Sequence, residues 1–225
     1  MMWGVFFIMN KYTEFLKSFN KSVLSARRDI EEIELIAVSK KKSIDIISEV
    51  INLGCVSFGE NQIQEIDKKW EHLKKQHLAA KLHFIGGIQS RKLKRIFETC
   101  EAIHSIDRIK IVKLVKDLEN ETGTKKDYFI QVNTGDEHQK YGVSLNKSEE
   151  FISECIDDYN LDVKGLMCIP PLNENPLLHF KRLNSLGKNF NLPYLSMGMS
   201  NDYDIAIKCG STHVRIGSKI FGERE

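Results

Sequence analysis

No two cysteines stand at C-x-x-C spacing: Cys55, Cys100, Cys155, Cys168 and Cys209 are odd in number and widely scattered. That argues against a disulfide framework or a thiolate zinc site and fits a reducing cytosol, the expected location. Charge of one sign is lacking too. The 33 Lys and Arg against 31 Asp and Glu leave +2, so neither nucleic acid nor an anionic membrane is indicated as a partner. No apolar run is long enough to cross a bilayer. The nearest, residues 1–9, has no basic region before it and no small-residue cleavage site after it, so it does not read as a signal peptide. It is expected to be a poorly ordered lead-in, or an upstream start with Met9 as the working one. No G-x-G-x-x-G follows any apolar run, which counts against an open dinucleotide-binding sheet. No linker or composition shift divides the chain, so residues 10–225 read as one domain.

What is present is an alternation. Short apolar runs at 35–40, 56–61, 82–89, 102–107, 128–133, 163–170, 194–200 and 213–222 each end in polar or glycine residues. Helix-like segments lie between them, at 43–53, 62–76, 90–98, 109–121, 147–157, 175–190 and 202–208. Strands joined by helical crossovers make a parallel sheet, and eight of them predict a single-domain α/β fold, the (β/α)8 TIM barrel. An extra amphipathic helix over 12–30 precedes it, with Phe15, Phe19 and Leu24 at helical spacing. In such barrels chemistry sits where the strands end.

Two charges stand where apolar residues are the rule. In Glu34-Leu-Ile-Ala-Val-Ser-Lys40 the face shared by Ile36 and Val38 is continued by Lys40. A lysine there is costly unless paired or neutralised, and one with a lowered pKa condenses with aldehydes. The competing reading is that Lys40 opens a solvated run with Lys41 and Lys42. Lys68-Lys69 and Lys74-Lys75 read as solvated surface. Arg215, between Val214 and Ile216, cannot shed its proton and needs acceptors: either a structural carboxylate or an atom of a ligand. Gly217 and Ser218 after it, with Ser200 on the neighbouring run, form a candidate phosphate cradle. A lysine on the first strand facing such a cradle on the last two suits pyridoxal phosphate (PLP). Spacing leaves open a phosphate-binding barrel enzyme without PLP, and leaves His83 either a core histidine or a site residue.

The motifs Ala37-Val-Ser-Lys40, Phe58-Gly-Glu-Asn61, His83-Phe-Ile-Gly86 with Gln89, Gly165-Leu-Met167 with Ile169-Pro170, and Ser196-Met-Gly-Met-Ser200 with Asp202 follow one another. Gly210-Ser-Thr212, Val214-Arg-Ile-Gly217 and Ile220-Phe-Gly222 close the series. Over residues 34–224 the chain resembles the pyridoxal phosphate homeostasis proteins, the alanine racemase N-terminal-domain-like family. The resemblance implies a barrel like the N-terminal domain of alanine racemase, with PLP as an internal aldimine on Lys40 and Arg215 facing its pyridine nitrogen. By the same likeness Ser200, Gly217 and Ser218 hold the phosphate, and Asn61 and Met199 line the ring. Lys140, in Glu137-His-Gln-Lys140-Tyr-Gly142, matches a family lysine at the mouth, a candidate secondary PLP site. Arg91, Cys168 and Tyr141 depart from the family's usual asparagine, alanine and serine.

The function implied is intracellular PLP (vitamin B6) homeostasis: a carrier that supplies PLP without catalysing turnover, with PLP-dependent apo-enzymes as candidate recipients and no metal. The alternative is a PLP-dependent amino-acid racemase of low activity. Racemization needs a second acid/base opposite the lysine, which in the racemase likeness comes from a separate domain of the partner subunit. This sequence ends at Glu225, three residues after the last predicted strand, so that domain is expected to be missing and the protein to be a monomer.

Overall fold

Eight parallel strands close on themselves. The computed structural model describes residues 2–137 and 139–222, with side chains from Ile8 onward. Met1, His138 and residues 223–225, among them the chain end behind the missing-domain expectation, lie outside the described residues. The ring runs β1 (Glu34–Val38), β2 (Ser57–Glu60), β3 (Lys81–Phe84), β4 (Ala102–Ile106), β5 (Asp127–Asn133), β7 (Val163–Cys168), β8 (Tyr194–Met199) and β9 (His213–Ile216), which pairs back onto β1. The β4–β5 pairing closes it, as the alternating pattern predicts. A two-residue strand, β6 (Val143–Ser144), lies alongside β5 and was not foreseen.

The helices are α1 (Met2–Ser25), α2 (Ile44–Asn52), α3 (Ile63–Gln76), α4 (Leu93–Thr99), α5 (Ile109–Thr122), α6 (Ser148–Ser153), α7 (Pro176–Asn189), α8 (Tyr203–Lys208) and α9 (Ser218–Phe221). Their ends carry local signals. Ser43 caps α2 by accepting the Ile46 N–H, Asn175 caps α7 ahead of Pro176, and Gly123 ends α5 in the left-handed region.

From Met2 on, the predicted lead-in is part of α1. Ile8, Tyr12, Phe15, Phe19 and Val23 make its buried stripe, while Leu24 points outward at 64% exposure. Two strand expectations need correction. The predicted strand over 213–222 stops at Ile216, because the backbone bends at Gly217 (φ −113°, ψ −75°) and residues 218–221 coil into α9. The run over 82–89 leaves the ladder after Phe84, since Gly86 lies against the Asn61 backbone so closely that a Cβ would stand 2.1 Å from its carbonyl oxygen.

The register sorts strand residues into two cores. Ile36 stands beside Ser57 and Arg215, Glu34 beside His213, and Gly59 beside His83, and these face the barrel axis. The alternate set, Ala37, Phe58, Leu82, Tyr128, Leu166, Leu195 and Val214, is buried against the helices. The outer layer is apolar. The inner one is largely polar, where barrels of this type are usually filled by branched hydrophobics.

Candidate functional site

At the C-terminal end of the barrel a cavity of about 560 Å³ is lined by Lys40, Asn61, Met199, Ser200, Arg215, Gly217 and Ser218, together with Val38, Lys42 and Asp202. Every residue predicted to surround a cofactor is there except Lys140. That lysine is ion-paired with Glu137, and its Nζ reaches the Pro170 carbonyl at 3.5 Å, so it stands behind the rim rather than in the cavity wall.

The lysine corner is a turn. β1 ends at Val38, so Lys40 follows the strand instead of belonging to it, and Lys41 takes a left-handed φ of 61°. Buried Ser39 fixes the turn: its N–H donates to the Gly59 carbonyl at 3.1 Å and its hydroxyl to Glu60 Oε1 at 2.8 Å. Lys69 reads as surface in the sequence and is in fact buried. Its Nζ donates to the Ser39 carbonyl (3.0 Å), Glu60 Oε1 (2.6 Å) and Glu65 Oε2 (2.7 Å). Two carboxylates meet its charge, which is what makes burial of an ammonium tolerable. Glu65 also accepts the Lys41 N–H at 2.8 Å.

The opposite corner is built from the loops after β8 and β9. Ser200 Oγ accepts the Gly217 N–H at 3.4 Å, and Asp202 Oδ1 accepts the Met199 N–H at 2.6 Å. Burial pushes the Asp202 carboxyl above the usual carboxylate range against the pull of that N–H and of Arg215. Lys42 Nζ donates to the Phe221 carbonyl at 3.1 Å and ties the two corners together.

Between them lies Arg215, 4% exposed. Its Nη1 donates to Ser196 Oγ (2.7 Å) and its Nη2 to the Cys168 carbonyl (2.9 Å). No carboxylate among the described residues forms an ion pair with it, so of the two readings of this arginine the structural-carboxylate one is not what is seen. Burial lowers its pKa, opposed by Cys168 and Asp202 nearby.

The alanine racemase N-terminal domain model matches residues 16–225. A pyridoxal phosphate homeostasis protein of Aquifex aeolicus is 36% identical over 93% of this chain and 95% of its own length. One of Vibrio alginolyticus is 38% identical over 88% and 89%. The chain belongs to the pyridoxal phosphate homeostasis protein family. Among solved structures, PipY of Synechococcus elongatus with PLP bound superposes with a TM-score of 0.77 at 26% identity, covering 90% of this chain and 99% of that one.

Below the cavity this homeostasis-family barrel holds a polar row that sequence reasoning missed. Glu34 faces His83 Nε2 at 3.3 Å and His213 Nε2 at 2.9 Å, and His83 Nδ1 meets His104 Nε2 at 3.0 Å. The core reading of His83 is the one realised. Burial would raise the Glu34 carboxyl, but His213 and His83 beside it and the Ser57 hydroxyl hold it far below the usual carboxylate range. Burial depresses His104 most, with His83, His213 and Arg215 nearby adding to it and Glu34 opposing. A histidine depressed in the fold and free in the unfolded chain leaves stability intact above about pH 6.5 and removes it as pH falls below that value. His104 is therefore expected to contribute a slope of up to about 1.4 kcal/mol per pH unit below pH 6.5. Urea midpoints measured from pH 7.5 to 5 check this. A flat profile through that range would contradict a neutral buried His104.

Proposed function

We propose that this chain holds PLP through Lys40 and serves PLP homeostasis, keeping the free aldehyde scarce and supplying the cofactor to PLP-dependent apo-enzymes without turning over a substrate. One observation carries the reading: an amine from the loop after β1 and the loops after β8 and β9 line one cavity, with a buried arginine between them. The PLP-bound PipY structure and the names of the relatives support the same cofactor.

When bound, PLP supplies an aldehyde that condenses with a primary amine and releases one water, along with a phosphate and a pyridine nitrogen. Lys40 offers the amine. Gly217 and Ser218 stand at the start of α9, where N–H groups lack intrahelical acceptors and suit an anion, and Ser200 adds a hydroxyl. Arg215 would present only donors to the ring nitrogen, and Asn61 and Met199, in the same cavity wall, would line the ring.

Catalytic racemization needs acid/base groups on both faces of the substrate carbon. The titratable lining groups beside Lys40 are each engaged. Lys42 is on the Phe221 carbonyl, Glu174 on His179 Nε2 at 3.1 Å, and Asp202 on the Met199 N–H. That supports a carrier over a racemase. A monomer in a reducing compartment is part of the proposal. Burial pushes Cys55 up to about 11 and Cys100, Cys155 and Cys168 up to about 12, keeping them as thiols.

The test is a spectrum of the protein incubated with PLP, before and after borohydride, followed by chiral chromatography of L-alanine incubated with it. A near-visible band that borohydride bleaches, with no turnover, is the expected result. A colourless protein removes the cofactor assignment. Racemization at enzymic rates, roughly 1–1000 per second, replaces the carrier by the racemase.

A further inference from the structure

A guanidinium donates hydrogen bonds and never accepts them. That one-way chemistry sets the direction of every bond behind Arg215. Its Nη1 donates to Ser196 Oγ at 2.7 Å, and among the described residues His104 Nδ1, at 2.8 Å, is the one acceptor in hydrogen-bond reach of the buried Ser196 hydroxyl, so the serine hydrogen goes there. His104 Nδ1 is then an acceptor, so a neutral His104 carries its hydrogen on Nε2. That nitrogen lies 3.0 Å from His83 Nδ1, which must accept in turn and places the His83 hydrogen on its own Nε2. The hydrogen-bonded row ends at His83. Its Nε2 faces Glu34 Oε1 at 3.3 Å without hydrogen-bond alignment, and that carboxylate, which only accepts, takes the Ser57 hydroxyl and faces His213 Nε2 at 2.9 Å.

The guanidinium at one end thus leaves a single polarity, running away from the cavity toward the side that holds Glu34. The groups around His104 agree with it. Phe129 stacks on the ring at 4.0 Å, the His83 and His213 rings lie at 5.2 and 5.9 Å, and burial with the Arg215 guanidinium nearby outweighs the pull of the Glu34 carboxylate toward an imidazolium.

We propose that Ser196 and His104 are positioning residues for the cofactor: they aim the remaining Arg215 N–H groups at the ring nitrogen and, because the row points outward, deliver no proton to it. This rests on the PLP reading of the cavity and extends it to residues that do not touch the ligand. Ser196 matters as an acceptor for the guanidinium, and His104 matters because it keeps the serine hydrogen turned away from Arg215.

Two measurements test it. In full-length protein labelled with 15N-histidine, imidazole NMR at pH 7 is expected to show His104 as a neutral Nε2–H tautomer, with and without PLP. A His104 that carries its hydrogen on Nδ1, or on both nitrogens, overturns the proposal. In PLP titrations followed by the near-visible band, Ser196→Ala is expected to weaken binding about tenfold, the scale of one buried hydrogen bond to a charged group, and to move the pH midpoint of the band. Ser196→Thr, which keeps the hydroxyl, restores both. If Ser196→Ala matches the wild type in affinity and pH midpoint, the positioning role fails and the PLP reading stands. If the wild type itself takes up no PLP, the PLP reading fails and this proposal with it. If Ser196→Ala does not fold, the tautomer of the native protein decides.

Discussion

Lys40→Ala is expected to abolish the near-visible band of the PLP-loaded protein, completely rather than by degrees. The cavity wall holds one other lysine, Lys42, and its amine is turned to the Phe221 carbonyl. Lys140 stands behind the rim beside Glu137. Neither is placed to take over, so Lys42→Ala and Lys140→Ala should both keep the band. Lys40 is half-buried in a turn after the strand, so its truncation opens no cavity in either core and the variant should fold with an unfolding midpoint near that of the wild type. The phosphate corner stays intact in Lys40→Ala, which should still bind PLP, weakly and without the band. An undiminished band in Lys40→Ala would place the amine elsewhere and dismantle the site.

The second large effect lies one layer behind. Lys69→Met is expected to cost about 3–5 kcal/mol of stability, the usual result of removing one member of a buried ion pair. Glu60 is fully buried, and its Oε1 collects the Lys69 ammonium, the Ser39 hydroxyl and, at 3.3 Å, the Trp70 indole N–H. Without Lys69 that carboxyl group is left buried with no cation beside it. The double variant Glu60→Leu with Lys69→Met should recover most of the loss, since buried pairs replaced by apolar residues are often neutral or better. It should not recover the geometry of the turn, because Ser39 then lacks both its side-chain acceptor and the Lys69 donor. Urea unfolding reports the first effect, and the rate at which the PLP band appears reports the second. A double variant that forms the band at the wild-type rate would show that the pair stabilises the fold without positioning Lys40.

How much of this could be read beforehand follows from where charge sits. The barrel was visible because apolar runs recur at strand length with helices between them. Lys40 and Arg215 were visible because each interrupts an apolar run. Lys69 was hidden because it follows Lys68 in a polar helix and looks like its neighbour. Its two carboxylate acceptors come from the preceding turn of that helix and from β2, and only the second makes it a core residue. The inner polar row was legible in part: Glu34, His104 and His213 each take an axis-facing position, alternating with outward apolar residues along their strands. That signal lies in two-residue spacing on separate strands, and reading it requires the ring to be closed first. The end of the last strand was misjudged because Ile216-Gly217-Ser218 contains nothing that forbids extension. Packing of Ile220 and Phe221 into the outer layer turns the chain there instead.

α1 lies outside the eightfold repeat, yet it packs against α2, α8 and α9, the helices that follow the loops bearing Lys40, Ser200 and Gly217. Phe15 and Phe19 meet the Tyr203 ring at 5.6 and 6.4 Å, and Ser18 Oγ stands 3.0 Å from the Tyr203 hydroxyl. A ligand that clamps those three loops therefore also restrains the staves they launch, and through them the strap across their backs. By thermodynamic linkage, amide exchange along α1 should slow when PLP is added, although none of the described side chains of that helix lines the cavity.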